Sequence, residues 1–174
     1  MHTLQHSAKA FGDGTHPTTH LLLEAIDAYN DTPPRCTADI GCGSGILSLA
    51  LAEKFGCPVI ATDIEAESIA TTAANARAAG KEACITAVQA DGFDHRSVAD
   101  YAPYDVIVMN ILAEPLVRLA HDAYAHTAHG GLVMLSGILL HQKDYIIDIY
   151  QSSGFEALHS LRLGDWAAWI VAKP

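Results

Sequence analysis

Apolar positions along the chain alternate between two periods. Cys36–Ile40 (C-T-A-D-I) follows Pro33-Pro34 and runs into glycines, which predicts a first strand. Ile46–Lys54 is apolar nearly all round and predicts a buried helix, closed by Phe55-Gly56 with Pro58 beyond. Val59–Thr62 predicts a second strand. Small apolar residues at Ala66, Ile69, Ala70, Ala73 and Ala76 keep helical spacing over Glu65–Ala79, with Gly80 as cap. Cys84–Gln89 predicts a third strand, and Asp105–Met109 (D-V-I-V-M) is apolar enough for the centre of a sheet. Pro115 suits a first helical turn; Leu116, Leu119, Ala120, Ala123 and Thr127 then line one face, and Gly130-Gly131 is expected to end that helix. Leu132–Leu135 predicts a fifth strand. Lys143–Ser153 predicts a helix with Ile146, Ile149 and Tyr150 on one side. Phe155–Leu163 and Trp166–Ala172, joined at Gly164-Asp165, predict a hairpin. Ahead of these, Leu22, Ala25, Ile26 and Tyr29 mark a helix from about Pro17 to Tyr29.

Five strand–helix units followed by a hairpin predict an α/β fold: an open, mostly parallel, seven-stranded sheet with helices on both faces and an antiparallel C-terminal hairpin. No composition shift marks an internal boundary. One domain over 1–174 is expected, with 1–30 as a leading segment and helix and 36–174 as a Rossmann-like core.

Composition narrows the class. The chain has 174 residues, half of them hydrophobic and 17% charged, which excludes disorder, collagen and coiled coil. No apolar run approaches the ~20 residues of a membrane span. The opening residues lack the basic-then-apolar pattern of a secretory signal. The cysteines at 36, 42, 57 and 84 form no C-x-x-C pair, so free thiols in a reducing cytoplasm are expected and a zinc site is not. His121, His126 and His129 cluster without metal-ligand spacing and read as a solvated helix face; no metal site is expected. A net charge of −10 disfavours direct nucleic-acid binding and favours a basic, Lys-rich protein partner. The sequence carries no signal for oligomeric state.

The chemistry lies after the first strand, in Asp39-Ile40-Gly41-Cys42-Gly43-Ser44-Gly45 leading into a helix. Glycines there let the backbone turn sharply and approach a ligand, while the helix N-terminus offers free N–H groups. A dinucleotide fingerprint, G-x-G-x-x-G, needs its third glycine at 46, which is Ile46. The observed G-x-G-x-G suits a cofactor without a pyrophosphate, and S-adenosylmethionine is the candidate, its amino-acid end near the loop and S-adenosylhomocysteine its product. Asp39, Gly41 and Gly43 are candidate cofactor contacts. Asp63 ends the second strand, just over twenty residues after Gly41, where a carboxylate can accept from both ribose hydroxyls or cap the next helix; Ile64 beside it joins the same set. Asp91-Gly92 follows the third strand, where the carboxylate can take the adenine amino group or simply make a turn. Asn110 ends the fourth strand; it can hold an acceptor amine or cap a helix.

These strings resemble one family. Phe11–Thr19 (F-G-D-G-T-H-P-T-T), D-I-G-C-G-S-G-I-L, Asn110-Ile111-Leu112-Ala113 with Pro115-Leu116, and Leu135-Ser136-Gly137-Ile138-Leu139 are similar to PrmA, whose members methylate the eleventh protein of the large ribosomal subunit. The resemblance runs the length of the chain. It implies the class I S-adenosylmethionine-dependent methyltransferase fold, an enzyme, and N-methylation of lysine side chains and N-terminal amines of a protein, with a ribosomal protein as substrate. Thr19, Gly41, Asp63 and Asn110 match the family's cofactor contacts, and Phe11 to Thr15 match its flexible cover. Asp13 stands where the family cover usually has threonine. Family members also carry an N-terminal domain that captures the substrate, whereas this chain begins almost at the catalytic domain.

The expected chemistry is in-line displacement of methyl from a sulfonium by a neutral amine. Asn110 and the backbone at Ile111-Leu112 are placed to hold that amine, which makes Asn110 and Leu112 the candidate catalytic positions. Gly12 and Gly14 would hinge the cover. No side chain in the motifs is assigned as general base. Alternative readings are a methyltransferase for another protein or a small amine, a non-catalytic S-adenosylmethionine-binding protein, and a nicotinamide oxidoreductase.

Overall fold

The central strands are too apolar to leave either face in water, so helices must cover both. The computed structural model describes residues 14–174. Its elements are α1 (Pro17–Ala28), β1 (Thr37–Ile40), α2 (Ile46–Phe55), β2 (Val59–Asp63), α3 (Ala66–Ala78), β3 (Ile85–Gln89), α4 (Arg96–Tyr101), β4 (Tyr104–Asn110), α5 (Ala113–Arg118), α6 (Ala120–His126), β5 (Thr127–Leu139), α7 (Lys143–Ser152), β6 (Glu156–Leu163) and β7 (Trp166–Ala172). The seven strands form one sheet in the order β3-β2-β1-β4-β5-β7-β6. The first five are parallel, and β7 inserts antiparallel between β5 and β6.

Alternate side chains of β4 supply the two cores. Ile107 and Met109 pack with α4, α5, α6 and α7; Val106 and Val108 pack with α1, α2 and α3. The chain runs outward from β1 to β3 and then returns to the other side of β1, so crossovers of one hand place their helices on opposite faces. That reversal opens a crevice between the carboxyl ends of β1 and β4.

Three sequence expectations are corrected. Gly130-Gly131 does not end the preceding helix, which stops at His126. Lys173 supplies the cap instead, its Nζ donating to the carbonyls of Tyr124 (2.8 Å) and Thr127 (2.9 Å). The glycines lie inside β5, where Gly130 N–H donates to Lys173 O and Lys173 N–H to Gly131 O. The single helix expected after Pro115 is two, parted at Leu119, whose N–H and carbonyl still bond Pro115 and Ala123. Helix α4 was not foreseen, because in six residues it buries only Val98 and shows no period.

The four cysteines are free thiols. No described helix is long and apolar enough to cross a membrane. Among the described residues no group of three or more His, Cys, Asp or Glu side chains is arranged to hold a metal. His126 stacks on Phe93, and His129 lies in β5 against the carbonyl of Pro174.

Strand β5 runs four residues beyond Leu135 by way of a bulge at Gly137, whose φ is +85°. A Cβ there would collide with the backbone carbonyl of Ile111. Gly137→Ala therefore combines a left-handed strain with a backbone clash and should cost about 2 kcal/mol or more, read from urea unfolding.

Candidate active site

The crevice at the carboxyl ends of the strands is a cavity of about 460 Å³. Its walls come from the ends of β1 (Ile40, Gly41, Gly43), β2 (Asp63, Ile64), β3 (Asp91, Gly92) and β4 (Asn110, Ile111, Leu112), with α5 closing one side. Gly41 turns with φ +80°, and a Cβ on it would collide with the Ile111 side chain, so only glycine allows β1 and β4 to end this close together.

Asp63 ties the loop to β2. Its Oδ2 accepts from Gly43 N–H and its Oδ1 from Glu65 N–H, both at 2.9 Å. Each oxygen keeps a lone pair for a ligand. The loop's carbonyls face α3 and are held there by Thr72, 3.1 Å from Gly43 O, and Asn75, 2.9 Å from Ser44 O. Ile64 and Leu112 are 61% and 60% exposed, an apolar lip on the cavity that a ligand can cover.

Asn110 Nδ2 donates to Thr19 Oγ1 at 3.2 Å. Its Oδ1 is buried and has no partner among the described residues. Asp91 lines the cavity, but its Oδ1 already receives Arg118 Nη2 at 2.6 Å.

The structure thus brings Gly41, Gly43, Asp63, Ile64, Asp91, Gly92, Asn110 and Leu112 into one cavity. Thr19 lies one hydrogen bond behind it, through Asn110. Asp39 lies beneath the loop, fully buried, and Thr15 is exposed; neither is among the lining residues. Phe11 lies outside the described residues. Glu65, Ser68, Pro115, Arg118 and Leu119 line the cavity without having been singled out for it. Arg118 follows the quoted Asn110–Leu116 string by two residues, so the start of α5 was the available signal.

A model of the family described as Ribosomal protein L11 methyltransferase (PrmA) matches residues 7–174. The chain belongs to the PrmA family. A relative of that name from Mesorhizobium japonicum is 42% identical over 158 residues, covering 90% of this chain and 54% of its own length. Another from Rhodopseudomonas palustris is 38% identical over 168 residues, covering 96% and 57%. This chain therefore spans a little over half the length of the curated PrmA relatives it matches. The crystal structure of a ribosomal protein L11 methylase from Lactobacillus delbrueckii subsp. bulgaricus superposes with a TM-score of 0.82 at 32% identity, covering 92% of this chain and 80% of that one. The fold is that of the class I S-adenosylmethionine-dependent methyltransferases.

Beneath the PrmA glycine loop, Asp39 Oδ2 accepts from Ser48 Oγ at 2.6 Å, while Oδ1 has no partner among the described residues. Burial pushes its pKa up to about 6, against the Ser48 hydrogen bonds that lower it, and nearby Asp63 adds to the rise. Burial also pushes the Cys42 thiol well up, so the loop's sulfur stays neutral. A raised carboxyl pKa means that folding favours the protonated acid. The contribution is complete below the usual carboxyl range and is lost as pH climbs through about 6. Asp39→Asn should therefore gain stability over wild type between pH 4 and 7, by up to about 3 kcal/mol, measured by urea unfolding at each pH.

Proposed function

We propose that the chain is an S-adenosylmethionine-dependent N-methyltransferase of protein amines, lysine side chain or N-terminus, with a ribosomal protein as acceptor. The observation that carries this reading is Asn110. A buried acceptor left unpaired costs ~1–3 kcal/mol, so its Oδ1 calls for a donor from the cavity, and an amine N–H supplies one.

The residues present fit the cofactor. The Asp63 oxygens retain lone pairs for vicinal hydroxyls, and Asp91 Oδ2 is an acceptor suited to an exocyclic amine. The glycine loop leads to the N-terminus of α2, whose N–H groups and dipole suit a carboxylate. Ile46 at the start of α2 disfavours a pyrophosphate. When bound, the cofactor supplies a methyl group on a sulfonium, a good leaving group.

The chain's own task is then positioning and desolvation. Asn110 Oδ1 accepts an N–H of the amine and turns its lone pair inward. Leu112 contributes its backbone and an exposed apolar side chain. A free lysine amine has a pKa of ~10.4, and burial against Ile111, Leu112 and Pro115 shifts it toward the neutral, nucleophilic form. Residues 1–30, including Phe11 and Thr15, act as the cover and its anchoring helix. The names of the PrmA relatives support a ribosomal-protein acceptor, and the net charge of −10 suits a Lys-rich one.

Asp63→Ala should weaken S-adenosylhomocysteine binding by about 1.5–3 kcal/mol in calorimetry, since hydrogen bonds to a charged group are lost. Unchanged affinity would remove Asp63 from the cofactor site. With a ribosomal-protein acceptor and mass-spectrometric detection of methylation, Asn110→Ala should lower kcat more than it weakens cofactor binding. Equal losses would make Asn110 a cofactor contact alone, and a wild-type chain that binds cofactor yet leaves the acceptor unmethylated would refute the acceptor.

A further inference from the structure

We propose that Thr72 and Asn75 of α3 are positioning residues that set the amino-acid end of the cofactor site, leaving the nucleoside end to Asp63. This rests on the cofactor reading above.

The two residues are three apart and share one helix face. They are 1% and 2% exposed. Threonine in a helix commonly returns its hydroxyl to the carbonyl four residues back, as half-buried Thr71 does with Glu67 O at 2.8 Å. Thr72 leaves its helix instead, its hydroxyl 3.1 Å from Gly43 O and 3.3 Å from Cys42 Sγ. Asn75 donates Nδ2 to Ser44 O, the next carbonyl along. A trans peptide points its N–H opposite to its C=O, so holding the Gly43 carbonyl against α3 fixes the direction of the Ser44 N–H.

The same loop is gripped from its other side by Asp63, which accepts from Gly43 N–H. Thr72 also leaves the loop no slack, because a Cβ on Gly45 would fall 2.8 Å from its side chain. Helix α3 begins three residues after Asp63, so the end of β2 and the helix that follows it each hold the loop. Polar side chains of middling helix propensity, buried in mid-helix and spent on consecutive loop carbonyls, serve the loop and not the helix.

The test compares two probes by calorimetry: S-adenosylhomocysteine, which carries the amino-acid end, and 5′-methylthioadenosine, which lacks it. Thr72→Val removes the hydroxyl at constant shape, and Asn75→Ala removes the amide. Each should weaken S-adenosylhomocysteine binding about five- to thirtyfold, the scale of one buried hydrogen bond, while 5′-methylthioadenosine stays within about twofold of wild type. Thr72→Ser should restore the affinity lost in Thr72→Val. Unchanged affinity for S-adenosylhomocysteine, or parallel loss for both probes, would overturn the proposal. Should Thr72→Val not fold, Asn75→Ala decides alone; unfolding of both variants overturns the proposal in favour of a purely structural role. A wild-type chain that binds neither probe would instead overturn the cofactor reading itself.

Discussion

Ile111 is wedged between two glycines, and the geometry of the cavity depends on that wedge. Gly41 at the end of β1 and Gly137 in the bulge of β5 both adopt left-handed backbone where a Cβ would strike Ile111. The absence of two methyl groups lets three strand ends converge. Asn110 and Leu112, on either side of Ile111, are thereby aimed into the crevice from a segment with little room to shift. A side chain on a wedged segment needs no ligand to find its place. Asn110 Oδ1 is one such group: a buried acceptor, fixed in direction, with no hydrogen-bond partner among the described residues.

The sheet was legible from the chain because its strands are short, apolar and punctuated. The V-I-V-M run after Asp105 had to be central, since none of its four side chains tolerates water, and β4 is paired on both sides. The hairpin followed from Gly164-Asp165 between two strand-like runs. What escaped reading depended on distant partners. Gly130-Gly131 looks like a helix stop by local rules, yet Lys173, more than forty residues on, caps α6 and leaves the glycines free to enter β5. Helix α4 is held by His95 at its start and one buried valine, too little for a period to show.

The site was legible where chemistry is tied to backbone. Gly41, Gly43, Asp63 and Asn110 announced themselves by spacing from strand ends, and they line one cavity. Asp39 was grouped with them as part of the loop string, but its side chain points to α2 and Ser48. Thr72 and Asn75 were invisible for a physical reason: on a helix rich in alanine, a threonine and an asparagine look like ordinary solvated positions. Only the fold reveals that they face a loop thirty residues earlier. Arg118 was similarly hidden, because its ion pair with Asp91 bridges two elements that no local pattern connects.

The sheet also has a polarity of attachment. Lys173 and Pro174 are stitched to Gly130, Gly131 and His129 at the end of β5 farthest from Asn110. Helix α1 begins at the opposite pole, where Thr19 touches Asn110. A tether, affinity handle or sensor surface joined after Pro174 would therefore hold the molecule by its floor and leave the mouth of the crevice facing outward.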